Sequence, residues 1–122
     1  MSTDRVYWME HKGKKILCVD YSNLTPAEIL PIIEESRRLI VTLEKGSALQ
    51  LVDVSNASYD KKSWQTMRQA AKDTTPNTKA WAILGVEGAK KFLLKVAQMV
   101  TKGNIKDFTN LEDAKDWLVS LK

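Results

Sequence analysis

The chain has 122 residues, the size of one domain, and its 43% hydrophobic content with four tryptophans is enough for a core without disulfide or metal staples. No apolar run approaches the roughly 20 residues of a membrane span and no signal-peptide core is present, so a soluble cytoplasmic protein without stable membrane insertion is expected. Cys18 and His11 are each the only residue of their type, which excludes an intrachain disulfide and a thiolate metal cluster. The net charge of +4 is uneven: residues 1–60 hold 7 basic and 9 acidic groups and residues 61–122 hold 12 and 6, so an acidic partner would dock on the second half.

In chain order, Val6 to Glu10 and Lys15 to Asp20 read as two strands joined by the turn His11-Lys12-Gly13-Lys14, with Gly13 supplying a positive φ. Ile16-Leu17-Cys18-Val19 is apolar throughout, as in an interior strand; a thiol placed there is inert. Thr25-Pro26-Ala27-Glu28 is a capping box with proline at the first helical position. The helix it opens is predicted to reach about Glu44, burying Ile29, Ile33, Ile40 and Leu43, with Gly46 as its stop. Pro31 lies beyond the first turn and predicts a kink or a later start.

Leu49, Leu51, Val52 and Val54 around Gln50 and Asp53 form a third strand, covered on both faces. Asp53, Ser55, Asn56, Ser58 and Asp60 then provide turn chemistry, Asp60 caps the second helix, and Trp64, Met67 and Ala71 recur at helical spacing. Pro76-Asn77 ends that helix. Ala80 to Leu84 is a fourth strand, followed by the loop Gly85-Val86-Glu87-Gly88. A third helix buries Ala89, Phe92, Leu93, Val96, Ala97 and Val100 and ends near Gly103. Ile105 to Phe108 is a short edge strand, and Thr109-Asn110-Leu111-Glu112 reads as a second capping box before a helix with Ala114, Trp117, Leu118 and Leu121 on one face. Trp64 and Trp117 are expected to anchor their helices on the sheet. The order is β-β-α-β-α-β-α-β-α, an α/β fold whose mixed sheet is mostly parallel, through right-handed crossovers, with an antiparallel N-terminal hairpin at its edge.

This order resembles the STAS domain shared by anti-sigma-factor antagonists and the cytoplasmic tails of sulfate transporters. More closely it resembles stand-alone bacterial SpoIIAA-like proteins related to STAS and CRAL-TRIO domains. The resemblance is carried by His11-Lys12-Gly13-Lys14-Lys15-Ile16, Val19-Asp20-Tyr21-Ser22-Asn23, the run from Leu51 to Asp60, Gly85-Val86-Glu87-Gly88 and Ala114-Lys115-Asp116-Trp117-Leu118, and it covers nearly the whole chain as one domain, residues 1–122. It implies the SpoIIAA-like fold. The antagonists carry Asp followed directly by a phosphorylatable Ser at the start of the second helix, whereas Asp60 here precedes Lys61-Lys62-Ser63-Trp64; the acceptor position is a lysine, flanked by Ser58 and Ser63.

Val19-Asp20-Tyr21-Ser22-Asn23 and Val52-Asp53-Val54-Ser55-Asn56 echo one another where a strand ends and a loop begins. Ligands of open α/β sheets sit outside the carboxyl ends of strands. A ligand or partner site is therefore expected from Asp20, Tyr21, Asn23, Ser55, Asn56, Ser58, Tyr59, Asp60, Gly85, Glu87 and Gly88. The alternative is that Asp, Ser and Asn merely close these loops. The arcs Lys61, Gln65, Arg68, Lys72 and Lys91, Lys95, Gln98, Lys102 read as solvated helix faces without the aromatic interleaving that stacks bases, so no nucleic-acid partner is expected.

Asp20 and Asp53 are the acids the strand pattern brings inward, yet no nucleophile–base pair is visible, and no catalytic residue, metal or cofactor is predicted. The expected function is a non-enzymatic STAS-like module that binds a protein partner or a small apolar or anionic ligand, with homodimer formation open. The alternative, implied by the CRAL-TRIO side of the resemblance, is a lipid or acyl-chain carrier. A carrier requires an apolar cavity between helices and sheet; a partner-binding module has a filled core and an exposed patch, for which Leu94 on the third helix is a candidate.

Overall fold

Hydrophobic alternation and turn chemistry divide the chain into five strands and four helices: β1 (Val6–His11), β2 (Lys14–Asp20), α1 (Pro26–Ile40), β3 (Ala48–Asp53), α2 (Lys61–Thr74), β4 (Thr78–Leu84), α3 (Lys90–Thr101), β5 (Ile105–Phe108) and α4 (Leu111–Ser120). They are seen in a computed structural model that describes residues 4–88, 90–101 and 104–121, without the side chains of 92, 93, 96 and 100. The expectations for Ala89, Lys102 and Gly103, and those for burial of Phe92, Leu93, Val96 and Val100, lie outside the described residues.

The sheet order is β1-β2-β3-β4-β5, with β1 antiparallel to β2 and every other pair parallel. Each parallel step moves one strand in the same direction, so the crossover helices α1, α2 and α3 share one face. That face packs Leu17, Val19, Val52, Trp81, Ile83 and Ile105 against Ile29, Ile33 and Ile40 of α1. The opposite face holds Ile16, Cys18, Leu49, Leu51, Ala80 and Ala82 beneath α4, whose Ala114 and Leu118 are fully buried. Consecutive residues of β2, β3 and β4 thus feed two different cores, which is why these strands are apolar on both faces, with Gln50 the polar interruption in β3.

The hairpin turn is shorter than expected: Lys12 (φ 51°) and Gly13 (φ 81°) alone connect β1 to β2, since the two-residue turn that suits twisted strands takes positive φ at both positions. Helix α1 starts at its capping box, Thr25 with Glu28, so Pro31 does not delay it. Pro31 is exposed, as is Ala27, whose carbonyl would have accepted its missing N–H. The helix ends at Ile40, not Glu44. Thr42 donates both its N–H (3.1 Å) and its hydroxyl (2.6 Å) to the Leu39 carbonyl, and the Leu43 N–H bonds Ile40 O at 3.0 Å, tightening the chain out of the α-helix. Gly46 (φ 65°) therefore turns the connecting loop, where its N–H reaches Pro76 O at 2.9 Å, rather than capping α1. Leu43 lies past the helix, half-buried against the core.

Asp60 caps α2 as expected: its carboxylate accepts the Ser63 N–H at 2.8 Å while the Ser63 hydroxyl accepts the Asp60 N–H at 2.9 Å. The expected second capping box at Thr109 and Glu112 is not formed. Asn110 caps α4 instead, one residue later, its Oδ1 accepting the Asp113 N–H at 2.9 Å and its Nδ2 donating to Asp113 Oδ2 at 2.9 Å. Trp64 and Trp117 are half-buried rather than enclosed, Trp117 meeting Phe108 with ring centroids 5.5 Å apart. No helix among the described residues is long and apolar enough to cross a membrane.

Three carboxyls are held below the ordinary range: Glu28 by the Thr25 N–H, Asp60 by the Ser63 N–H and Asp116 by hydrogen bonds from His11 and Lys12. A carboxyl with a depressed folded pKa contributes stability above its unfolded pKa and loses it as pH falls through the folded one. The urea midpoint is accordingly expected to fall on acidification below about pH 4. A midpoint that stays level down to about pH 2 would contradict these bonds.

Candidate functional site

The loops after β2 and β3 run side by side as continuations of the sheet, with Tyr21 N–H bonded to Asp53 O at 2.8 Å and Asn23 N–H to Ser55 O at 2.9 Å. The sequence echo is a repeated structure. Asp20 Oδ1 accepts the Ser22 N–H and Asp53 Oδ1 the Ser55 N–H, both at 2.9 Å, and Asn23 (φ 62°) and Asn56 (φ 56°) turn the chain left-handed at matching places. The loop after β4 joins them through the Val54 N–H to Leu84 O bond of 2.9 Å and the close approach of Gly85 (φ 83°) to Ser55.

These bonds occupy much of the chemistry expected of a crevice. Asp20 and Asp53 face one another across the β2–β3 register, but each carboxylate is turned to its own loop, and Asp20 also meets Arg5 at 3.5 Å. Asp60 is committed to its cap. Asn23, Asn56, Ser58, Glu87 and Gly88 are exposed, Ser58 donating its N–H to Leu24 O at 3.0 Å and the Glu87 and Gly88 carbonyls receiving the first N–H groups of α3. Ser63 is fully buried with its hydroxyl in the cap. Among the described residues no group of three or more His, Cys, Asp or Glu side chains gathers to hold a metal.

Two residues of the expected set turn elsewhere. Tyr21 and Tyr59 line a cavity of about 130 Å³ between the sheet and the three crossover helices. Its floor is Val19, Val52, Trp81, Ile83 and Ile105; Ile33 and Ile40 of α1, Met67 and Ala71 of α2, and Leu94 and Ala97 of α3 wall it in. The buried residues of α2 are Ser63, Ala70 and Thr74, small side chains that fill little of the space between this helix and the sheet. Leu94, expected to form an outward patch, is half-buried and points into this space instead. Among the described residues, the exposed large apolar side chains Tyr7, Trp8, Val41, Met99 and Leu111 are scattered over β1, the end of α1, α3 and α4.

Burial pushes both phenols well above the usual tyrosine range; a hydrogen bond with Ser36 opposes the shift at Tyr21, and the nearby Tyr21 adds to it at Tyr59. Both are neutral hydroxyls at any physiological pH. The Tyr59 hydroxyl is buried and, among the described residues, is the one buried side-chain polar atom with no hydrogen-bond partner. Leaving such a group unpaired costs about 1 to 3 kcal/mol. At the far end of the cavity the polar groups are paired in a chain, Gln50 Nε2 to Thr78 Oγ1 at 2.9 Å and Thr78 Oγ1 to Thr74 O at 2.7 Å.

Sequence reasoning left open whether the space between helices and sheet is filled, placed Val52, Trp81 and Ile83 only as strand residues, and read Arg68 as part of a solvated face. The one available signal was the run of small residues Ala70-Ala71 with Thr74 on the inner side of α2.

Cys18 lies on the other face, under α4, where burial pushes its thiol up to about 11 against a hydrogen bond with Tyr7. Alkylation of the native protein is expected to be slower than that of the unfolded chain by at least about 100-fold, since the thiolate is the reacting species. Rapid labelling by a maleimide without denaturant would contradict that position.

No protein-family model and no curated protein matches the sequence. Among solved structures the chain is similar to an uncharacterised protein of the DUF3478 family with a SpoIIAA-like fold from Shewanella loihica PV-4, with a TM-score of 0.75 and 18% identity over 97% of this chain and 98% of that one. The chain therefore has the SpoIIAA-like fold, as the resemblance read from the strands and loops implied.

Proposed function

We propose that the protein is a non-enzymatic binding module that holds a small, largely apolar molecule in the cavity between α2, α3 and the sheet, beneath the carboxyl ends of β2, β3 and β4. The observation that carries this reading is the unfilled apolar space of about 130 Å³. Apolar cavities of about 150 Å³ take up benzene, whereas sites for drug-sized ligands run from about 300 Å³ upward. The size favours a single ring or a short branched chain over a long acyl chain, so the reading keeps the carrier idea only for small cargo. Leu94, the residue named for an outward patch in the protein-partner alternative, lines this cavity instead.

Thermal unfolding in the presence of benzene tests the reading. A saturable rise in Tm is expected for the natural chain, because a ligand that binds only the folded state stabilises it by mass action. Ala71→Leu, which puts a larger side chain into the space from a half-buried position, is expected to remain folded and to lose that rise. A natural chain indifferent to benzene would overturn the proposal.

A further inference from the structure

Among the described residues, the charged ones that line the cavity are Arg68 and Lys90, both cationic, and no Asp or Glu lines it. Arg68 is exposed, so the cavity reaches solvent between α2 and α3. Lys90 is half-buried and fixed: its Nζ donates to Val54 O at 2.8 Å, which leaves two of its three donors for another acceptor. Lys61 and Lys72 on the same arc of α2 and Lys91 and Lys95 on α3 are exposed and add positive potential on these helices. Glu87, on the loop before α3, is exposed and does not line the space. Inside, the Tyr59 hydroxyl lacks a partner.

Resting on the cavity reading, we infer that the ligand is a small monocarboxylate with an apolar body, a single ring or short branched chain enclosed by Trp81, Val52 and Ile83, its carboxylate directed to Arg68 and Lys90. A carboxylate suits these groups because it accepts hydrogen bonds at several lone pairs, from two cations and from the neutral Tyr59 phenol, and charge-assisted bonds are roughly twice as strong as neutral ones. An amine would place a third positive charge beside Arg68 and Lys90. An uncharged hydrocarbon would fill the space and leave the Tyr59 hydroxyl unpaired.

Phenylacetate, phenylacetamide and benzene form the test set, with binding followed by calorimetry and by the fluorescence of Trp64 and Trp81, both of which border the cavity. Phenylacetate is expected to bind about tenfold tighter than its isosteric amide at low salt, with the preference shrinking as salt rises. Arg68→Gln, at an exposed position, is expected to weaken phenylacetate about threefold more than it weakens benzene. Tyr59→Phe is expected to weaken phenylacetate about fivefold more than benzene. Equal binding of acid and amide, or no change in either variant, would overturn the carboxylate inference while benzene binding kept the cavity reading intact. Failure of both phenylacetate and benzene to bind would overturn the two together.

Discussion

Gly85→Ala is expected to lower the unfolding free energy by about 2 to 5 kcal/mol, a large share of the roughly 5 to 15 kcal/mol that a domain of this kind possesses. Two costs combine. The backbone at Gly85 has φ 83°, a conformation that a side chain disfavours by about 1 to 2 kcal/mol. A Cβ there would also press on the Ser55 hydroxyl and come within 2.5 Å of Ser55 N and 2.6 Å of Ser55 Cα. Backbone atoms cannot swing aside as a flexible side chain does, so the loops after β3 and β4 would be forced apart at the end of the sheet that roofs the cavity. Gly46→Ala separates the two costs, since Gly46 has φ 65° with nothing within 4 Å of the added carbon, and about 1 kcal/mol is expected there. Urea unfolding of both variants checks the difference; equal losses would mean that the Gly85–Ser55 approach is looser than described.

Leu118→Ala is expected to cost about 2 to 5 kcal/mol with an unchanged urea m-value. Leu118 is fully buried, and α4 is the helix that covers the Ile16, Leu49 and Leu51 face of the sheet, so no second helix can close the space left behind. Trp64→Ala, despite removing a larger side chain, is expected to cost less. Trp64 is half-buried and already borders a cavity, so its removal widens a void instead of creating one inside a close-packed core. If Trp64→Ala proves the more damaging of the two, the helix-to-sheet space is filled in solution.

The fold was legible because its local signals agree with one another. Thr25 with Glu28 marks the start of α1, Asp60 caps α2, and the apolar run Ile16 to Val19 and the apolar residues Leu49, Leu51 and Val52 on both faces of β3 can be satisfied only between two helical layers. The echo of Asp20-Tyr21-Ser22-Asn23 in Asp53-Val54-Ser55-Asn56 was legible as chemistry but ambiguous in meaning. Its Asp-to-amide bonds and left-handed asparagines are turn closure, and the aromatic ring it contributes points below the loop, not out of it. The end of α1 was missed because Thr42 and Leu43 bond back three residues, a preference that helical periodicity does not register.

The cavity was illegible for a different reason. Periodicity tells which side chains face inward but says nothing of whether their volumes sum to the space available. Ala70, Ala71 and Thr74 mark a shortfall only once the separation of α2 from β3 and β4 is known. Arg68 reads as a solvated residue by any pattern, and only the placement of α2 beside α3 brings it to the edge of that space.

A ligand site under α2 and α3 is tested most directly by titrating methyl-labelled protein with benzene and following the methyl resonances by NMR. Saturable shifts are expected at Ile33, Val52, Ile83 and Ile105, which line the cavity, while Leu49, Leu51 and Leu118 on the opposite face stay in place. Shifts that never saturate, or that fall first on the Leu118 face, would contradict it.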